Sequence, residues 1–484
     1  MKYKKINYLV KSLLLILVLT ANLNCERDIS DDARVATFAK TAEIFTDDFV
    51  GMGTNFYFPY GGSKPTAWSV DRSEGYNSTA SMRFDVPNAN DPEGNYAGAI
   101  FRIDGAGRDL TDYDALTFYV KASQGVNISE FGFGEDFDKN KYKATITNIS
   151  VGTNWRKVII PIPDASKLLK ENGMFRYSAG TQGTNSLGYI FWIDDLKFEK
   201  LGTIAQPLPK ILNGQNNTQQ AFIGSTISIT GLTQTFNLPT GLNQTIDCAP
   251  RYFQFSSSNT SIATVDDLGV VEVVGNSPID PVTGQPIKAI ITANIAGVLA
   301  VGSLTIESLG PFVSAPTPTY PSSNVISIFS DTYANVGVDF FNGFYGGQTT
   351  QTSDILIGTN NLKFYTNLNY VGIEFNNPPI NGTTMQFLHL DILSSASTTT
   401  PFVIKIRDRG ANGVLNTNVN TGAPILDDKE ISYTVPANQI IPNQWLSINI
   451  PLTGNIANQK NNLAQIVFVG NLDFLLDNLY FYKL

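Results

Sequence analysis

Two runs of this chain set aromatic side chains into glycine-rich, turn-prone sequence. The first is NFYFPYGGSKPTAW (55 to 68) with GNYAG (94 to 98), and the second is FFNGFYGGQ (340 to 348) with NLNYVG (367 to 372). Rings held outside regular strand alternation offer flat apolar faces to the C–H side of a sugar, with amides and carboxylates nearby for its hydroxyls. The candidates are Tyr57, Tyr60, Trp68 and Tyr96 in the first run, and Phe344, Tyr345 and Tyr370 in the second. The competing reading is that these rings only cover the edge of a core.

Other chemistry is poorly supplied. His389 is the single histidine, in QFLHLDIL, where Leu388, Leu390 and Ile392 alternate against His389 and Asp391. Without a second histidine or an available thiol it suits neither a zinc site nor a nucleophile's base, and its expected role is hydrogen bonding to a glycan. GEDFDKN (134 to 140) clusters acids, but no hydrolase motif surrounds it, and phosphate-binding loops and dinucleotide fingerprints are absent. The chain therefore reads as a binding protein and not an enzyme. A glycoside hydrolase is the weaker reading.

The elements that must position these rings are strands. Short period-two runs recur, among them LTFYVK (116 to 121), KVIIPI (157 to 162), FVIKIRD (402 to 408) and LSINIPL (446 to 452), with turn residues between them. Only DASKLLKENG (164 to 173) has a helical look. Matches within the chain set the organisation. IFTDDF (44 to 49) matches IFSDTY (328 to 333), YGG (60 to 62) matches YGG (345 to 347), and SMRFDV (81 to 86) matches NLKFYT (361 to 366). YAGAIF (96 to 101) matches YVGIEF (370 to 375), NWRKVIIPI (154 to 162) matches QWLSINIPL (444 to 452), and IDDLKF matches LDNLYF at the two closing strands. The expectation is an all-β chain with jelly-roll-like β-sandwiches at 41–203 and 324–484, each with its first and last strands as neighbours. PLPKIL (207 to 212) and the proline-rich 309–323 read as linkers holding a middle domain, 204–308, apart from both.

Strict alternation in FWIDDLKF puts Trp192, Asp194, Leu196 and Phe198 on one face, and in LLDNLYF it puts Leu475, Asp477, Leu479 and Phe481 on one face. Asp47 and Asp331 stand likewise among aromatics at the other end of each repeat. Buried carboxylates need partners. A structural Ca²⁺ bridging Asp47 with Asp194, and Asp331 with Asp477, is one expectation; backbone N–H donors from a turn are the other. Trp155 and Trp445 open matched strands and are expected to pack at the sandwich ends, while the pairing of Trp192 with Leu475 points to core.

Composition agrees with an uncharged polar surface: 15% charged residues against roughly 25% in an average soluble protein, with 11% aromatics. The net charge of -9 and the lack of a basic stripe exclude nucleic acid as a partner. The first 24 residues, MKYKKINYLVKSLLLILVLTANLN, combine a basic start with a short apolar run and read as a secretory signal. Followed by Cys25, they resemble a bacterial lipoprotein signal, which implies lipidation at Cys25, with 25–40 as a flexible tether. Ser30-Asp31-Asp32 resembles the acidic export signals of Bacteroidetes-type surface lipoproteins. The middle segment, with FSSSN (255 to 259), IATVD (262 to 266), GVV (269 to 271), IITA (290 to 293) and LTI (304 to 306), resembles the bacterial group 2 immunoglobulin-like domain.

The whole arrangement resembles a surface glycan-binding lipoprotein of a polysaccharide utilisation locus, and the C-terminal repeat resembles modules attached to proteins acting on laminarin and related β-glucans. The resemblance implies an outer-membrane, cell-surface location through the lipid anchor. It also implies a neutral polysaccharide as ligand, and an outer-membrane transporter with glycoside hydrolases as neighbours. The alternative is a structural or adhesive surface protein recognising protein or matrix.

Overall fold

The computed structural model describes residues 38–484 except 138, 344, 419 and 420. Cys25 and Phe344 thus lie outside the described residues. Two β-sandwiches share one plan: their terminal sheets correspond strand for strand, and the second platform sheet, Tyr370–Glu374, Leu463–Val469, Phe402–Asp408, Lys429–Val435, matches four central strands of the first. In each, a terminal sheet contains the first and last strands, and a platform sheet faces it across the core.

The first terminal sheet runs Trp68–Asp71, Ser81–Val86, Tyr189–Glu199, Ala115–Ala122, Arg156–Pro161, with Glu43–Phe45 antiparallel to Tyr189–Glu199. The second runs Gln351–Ile357, Asn360–Thr366, Phe474–Tyr482, Phe387–Leu393, Trp445–Pro451, with Val325–Phe329 antiparallel to Phe474–Tyr482. First and last strands are neighbours in both, as the internal matches require. The all-β expectation holds, and DASKLLKENG forms only a single 3-10 turn at Ala165–Lys167, capped by Asp164.

Strict alternation fails where it was expected to place the aspartates. Asp195 and Asn478 each adopt φ 51°, and the pairing register of the first strand shifts between Asp194 and Lys197. A bulge inserts one residue and exchanges the faces beyond it. Ile193, Leu196 and Phe198 therefore point into the first core while Trp192 points outward, half-buried, and Leu476, Leu479 and Phe481 fill the second core while Leu475 points outward. Trp192 is not a core residue.

The linker reading of 207–212 also needs correction. Ala205–Lys210 is a strand, and with Thr233–Asn237 and Asn243–Cys248 it extends the first platform sheet. That sheet holds eight strands in the order Ala205–Lys210, Thr233–Asn237, Asn243–Cys248, Ala144–Val151, Val126–Phe133, Gly173–Ala179, Ala97–Arg102, Tyr57–Pro59. The remaining middle strands form a five-stranded sheet, with Asn216–Ile223 parallel to Ser303–Pro311, and a three-stranded sheet. One continuous set of buried apolar residues runs from Ile44 to Ile306. On its far side the middle unit meets the second sandwich, through a bridge between Ser225 and Ile357 and an apolar cluster of Phe222, Leu475, Leu393 and Leu362 beside Phe312 and Trp445. The middle unit is joined to both neighbours and does not hold them apart.

Candidate functional site

On each platform sheet the inward positions are apolar. Ala97, Ala99 and Phe101, with Phe175, Tyr177 and Ala179, belong to the first core, and Val371 and Ile373, with Ile466 and Phe468, to the second. Alternation then aims Gly98, Ile100, Arg176, Ser178 and Glu130 outward on the first sheet. On the second it aims Gly372, Glu374, Gln465, Lys405 and Arg407 outward.

Tyr60 and Tyr345 lie over these faces at the same place. A Cβ on Gly98 would stand 3.2 Å from ring atoms of Tyr60, and one on Gly372 would stand 2.9 Å from ring atoms of Tyr345. Glycine is needed here for the close approach of the ring. A tyrosine two residues before each of these glycines fastens the ring's loop: Tyr96 Oη donates to the Tyr60 carbonyl at 2.6 Å, and Tyr370 Oη donates to the Gly346 carbonyl. Tyr60, Tyr96, Tyr345 and Tyr370 are thus brought together as two equivalent pairs.

Beneath each pair lies a closed polar network. In the first, Tyr60 Oη donates to the Tyr177 carbonyl at 2.8 Å and accepts from Arg176 Nη2 at 2.9 Å. Arg176 is paired in turn with Glu130 and Glu135. Next to it Arg102 bonds Asp136 at 2.5 Å and Asp104 at 2.9 Å, with its guanidinium 4.6 Å from the centre of the Phe137 ring. In the second, Tyr345 Oη meets Glu374, and Gln465 Nε2 donates to Tyr345 Oη at 2.6 Å. Arg407 joins Gln465 Oε1 at 2.9 Å to Glu430 at 2.5 Å, and Lys405 stands 3.5 Å from Glu430. Burial pushes the Tyr60 and Tyr345 hydroxyls up, so both remain protonated donors at neutral pH. In both floors every arginine and lysine named is paired with a carboxylate, so neither face presents a free cation to an anionic ligand.

Other expected residues go elsewhere. Tyr57 and Trp68 turn into the edge of the first core, their rings 5.1 Å apart and packed with Phe101 and Phe49. They are core-edge rings, as the competing reading had it. His389 lies on the terminal sheet, stacked on Tyr480 at 4.7 Å with Nδ1 2.9 Å from Asn449 Oδ1. It is therefore not beside Tyr345. Arg176, Glu130, Gln465, Glu374 and Arg407 were not anticipated, although polar side chains alternating with isoleucine and valine in FVIKIRD and LAQIVFV mark an outward polar row. Glu135 and Asp136 of GEDFDKN serve as partners of arginines in this floor.

Asp47 and Asp331 lie just beyond the ends of the first strands and Asp194 and Asp477 beside the left-handed residues inside the last ones, all four among hydrogen-bond donors. Asp194 accepts from Asp195 N at 2.7 Å, Tyr76 N at 2.7 Å and Ser78 Oγ at 3.0 Å, while Asp47 accepts from Ala80 N at 3.1 Å. Asp331 accepts from Asn361 N and Nδ2, both at 2.8 Å, and Asp477 accepts from Asn478 N at 2.7 Å. Among the described residues no group of three or more His, Cys, Asp or Glu side chains is set to hold a metal ion. A Ca²⁺ here would draw most of its ligands from carbonyl and amide oxygens.

Asp477 is nevertheless under electrostatic pressure. Burial, with Asp331 and Asp391 adding to it, pushes its carboxyl up to about 6. A carboxyl raised on folding contributes stability that is present below its unfolded value near 4 and is lost as pH rises to about 6, a change of roughly 3 kcal/mol. The second sandwich is expected to melt at a lower temperature at pH 7 than at pH 4.5, and Asp477→Asn to flatten that difference in thermal melts. An unchanged slope in the variant would contradict this.

Residues 41–200 match the family model of carbohydrate binding domain 30. No curated protein matches the chain. Among solved structures, it is similar to a family 30 carbohydrate binding module at 18% identity, over 33% of this chain and 87% of that one, with a TM-score of 0.25. It is also similar to a family 11 carbohydrate-binding module from Clostridium thermocellum in complex with a beta-1,3-1,4-mixed-linked tetrasaccharide, at 17% identity over 33% and 95% with a TM-score of 0.22. A third is a beta-1,2-glucanase from Parabacteroides distasonis, at 12% identity over 57% and 39% with a TM-score of 0.24. Residues 41–200, the first sandwich, are thus similar in sequence to a carbohydrate binding domain, and the second module repeats its terminal-sheet order and its tyrosine-over-glycine pair.

Proposed function

We propose that this chain captures a neutral polysaccharide at the cell surface, each module receiving it on its platform sheet. The reading is carried by one observation: two modules present a tyrosine over a glycine at equivalent positions, above a polar floor whose cations are already paired. Tyrosine faces take the apolar side of sugar rings, while the half-buried Glu130 and Glu374 offer hydrogen bonds to hydroxyls. Two such sites on one chain raise retention through effective concentration.

The most specific form of the proposal is a β-glucan such as laminarin, held for uptake by a transporter and hydrolases, with lipidation at Cys25 tethering the chain to the outer membrane. Native gels of the full chain containing laminarin, mixed-linkage glucan, xylan or mannan test it. Retardation by a glucan alone is expected; failure of every polysaccharide to retard the chain would sink the proposal. The structural cation belongs to the same proposal. Ca²⁺ beside Asp331 and Asp477 favours the charged form of Asp477, so it should raise the melting temperature more at pH 7 than at pH 4.5. An equal or absent effect at both would remove it.

A further inference from the structure

On the outward face of the first terminal sheet, four neighbouring strands line up Arg83, Trp192, Lys121 and Trp155. Trp192 pairs with Arg83 on one side and Lys121 on the other, and the Val120–Arg156 pair sets Trp155 beside Lys121. Lys121 Nζ stands 5.0 Å from the centre of one indole and 5.3 Å from that of the other. Polar groups hold the rings in place: Trp192 Nε1 donates to Asp71 at 3.0 Å and Lys121 bonds Glu74 at 2.7 Å. Beside them Tyr76 stacks face to face on Tyr119 at 3.5 Å and meets the edge of Trp155 at 6.1 Å. Trp155, Trp192, Tyr76 and Tyr119 are all partly exposed, and none joins the apolar cluster that holds the first module to the middle unit.

The second module gives this face a reference. Its equivalent row is Phe364, Leu475, Leu393 and Trp445, and it packs with Phe222 and Phe312 in an apolar contact with the middle unit. In the first module Arg83 and Lys121 replace Phe364 and Leu393. Burying two cations in an apolar protein contact is costly, so this row is unsuited to the use made of its counterpart. Its two indoles are two strand spacings apart, roughly 10 Å, close to the length of a disaccharide, with an ammonium and a carboxylate between them for hydroxyls.

The geometry points to a second glycan-binding surface on the first module, built from Trp155, Trp192 and Lys121 on the sheet opposite Tyr60. It shares the ligand class of the proposed function but none of its residues. The chain's own chromophores separate the two. Trp68 is packed into the core edge and Trp445 against the linker, its Nε1 donating to the Val313 carbonyl at 2.6 Å, whereas the platform sites are built on tyrosines.

Titrating the full chain with laminarin, mixed-linkage glucan, xylan or mannan oligosaccharides should change tryptophan emission. That change is expected to survive in the Tyr60→Ala/Tyr345→Ala variant and to vanish in Trp155→Ala/Trp192→Ala. If the latter fails to fold by circular dichroism, Trp155→Phe must reduce the response at least about twofold. Retardation of the wild-type chain in gels without any emission change overturns this surface and leaves the platform sites standing. Loss of the emission change only in the tyrosine variant overturns it as well. Emission change with unaltered gel behaviour in the tyrosine variant supports this surface against the platform sites. No response of either kind overturns both.

Discussion

Tyr60→Ala and Tyr345→Ala are each expected to weaken glycan retention about tenfold, and together about a hundredfold, measured as the polysaccharide concentration that half-retards the chain. A well-placed aromatic anchor is worth about 1–2 kcal/mol or more when truncated, and the two sites act through one tethered ligand. Tyr345→Phe separates the ring from its hydroxyl. It keeps the face over Gly372 while Glu374 and Gln465 lose one partner, so a loss smaller than that of Tyr345→Ala assigns the larger part to stacking. Identical retention in both alanine variants and the wild type would remove the platform sheets from the binding account.

The largest effect on stability is expected at Arg108. Its side chain is only 2% exposed and carries no carboxylate partner close enough for a salt bridge among the described residues. Instead it donates to the carbonyls of Thr41 at 3.1 Å, Glu43 at 2.7 Å and Val50 at 2.6 Å. These carbonyls flank the first strand, Glu43–Phe45, so the guanidinium staples the start of the module to its body. Alanine would leave them unpaired beside a cavity, at a cost of about 3 kcal/mol or more. For a unit of this size that corresponds to a fall in melting temperature of roughly 6–12 °C. Arg108→Lys should recover only part of the loss, because one ammonium lacks the planar fork that spans several carbonyls. A fall of less than about 2 °C for alanine would show that the first strand is held by its pairing to Tyr189–Glu199 alone.

Much of the fold was readable because repetition survives where single strands are ambiguous. IFTDDF and IFSDTY, with IDDLKF and LDNLYF, mark strands that do pair in each sandwich. The tyrosines of the YGG loops and of YAG and YVG stood out as rings beside glycines, and they come together as two equivalent pairs, a placement that says nothing yet of a sugar. What failed was any inference that needed uninterrupted alternation. A left-handed residue at Asp195 or Asn478 costs one position and reverses every side chain beyond it. Trp192 was therefore assigned to the wrong face. Arg176 with Glu130, and Arg407 with Glu430, were hidden for a different reason. Their partners come from neighbouring strands far apart in sequence, and no local pattern announces a cross-strand pair. PLPKIL looked like a linker because its prolines are unusual in strands, yet an edge strand tolerates them, and Ala205–Lys210 is the edge of its sheet.

The eight-stranded platform sheet means that the inherited repeat and the folding unit are not the same piece of chain. A fragment ending at residue 203 would keep every residue of the tyrosine site. It would also lose the pairing of Cys248 with Ala144 and of Asp247 with Thr145, and strip Ile246 and Tyr252 from a shared interior. An uncovered edge of that kind recruits strands from other molecules. Such a fragment should be sticky for reasons unrelated to sugar, whereas a fragment carried on through the middle unit should stay monomeric.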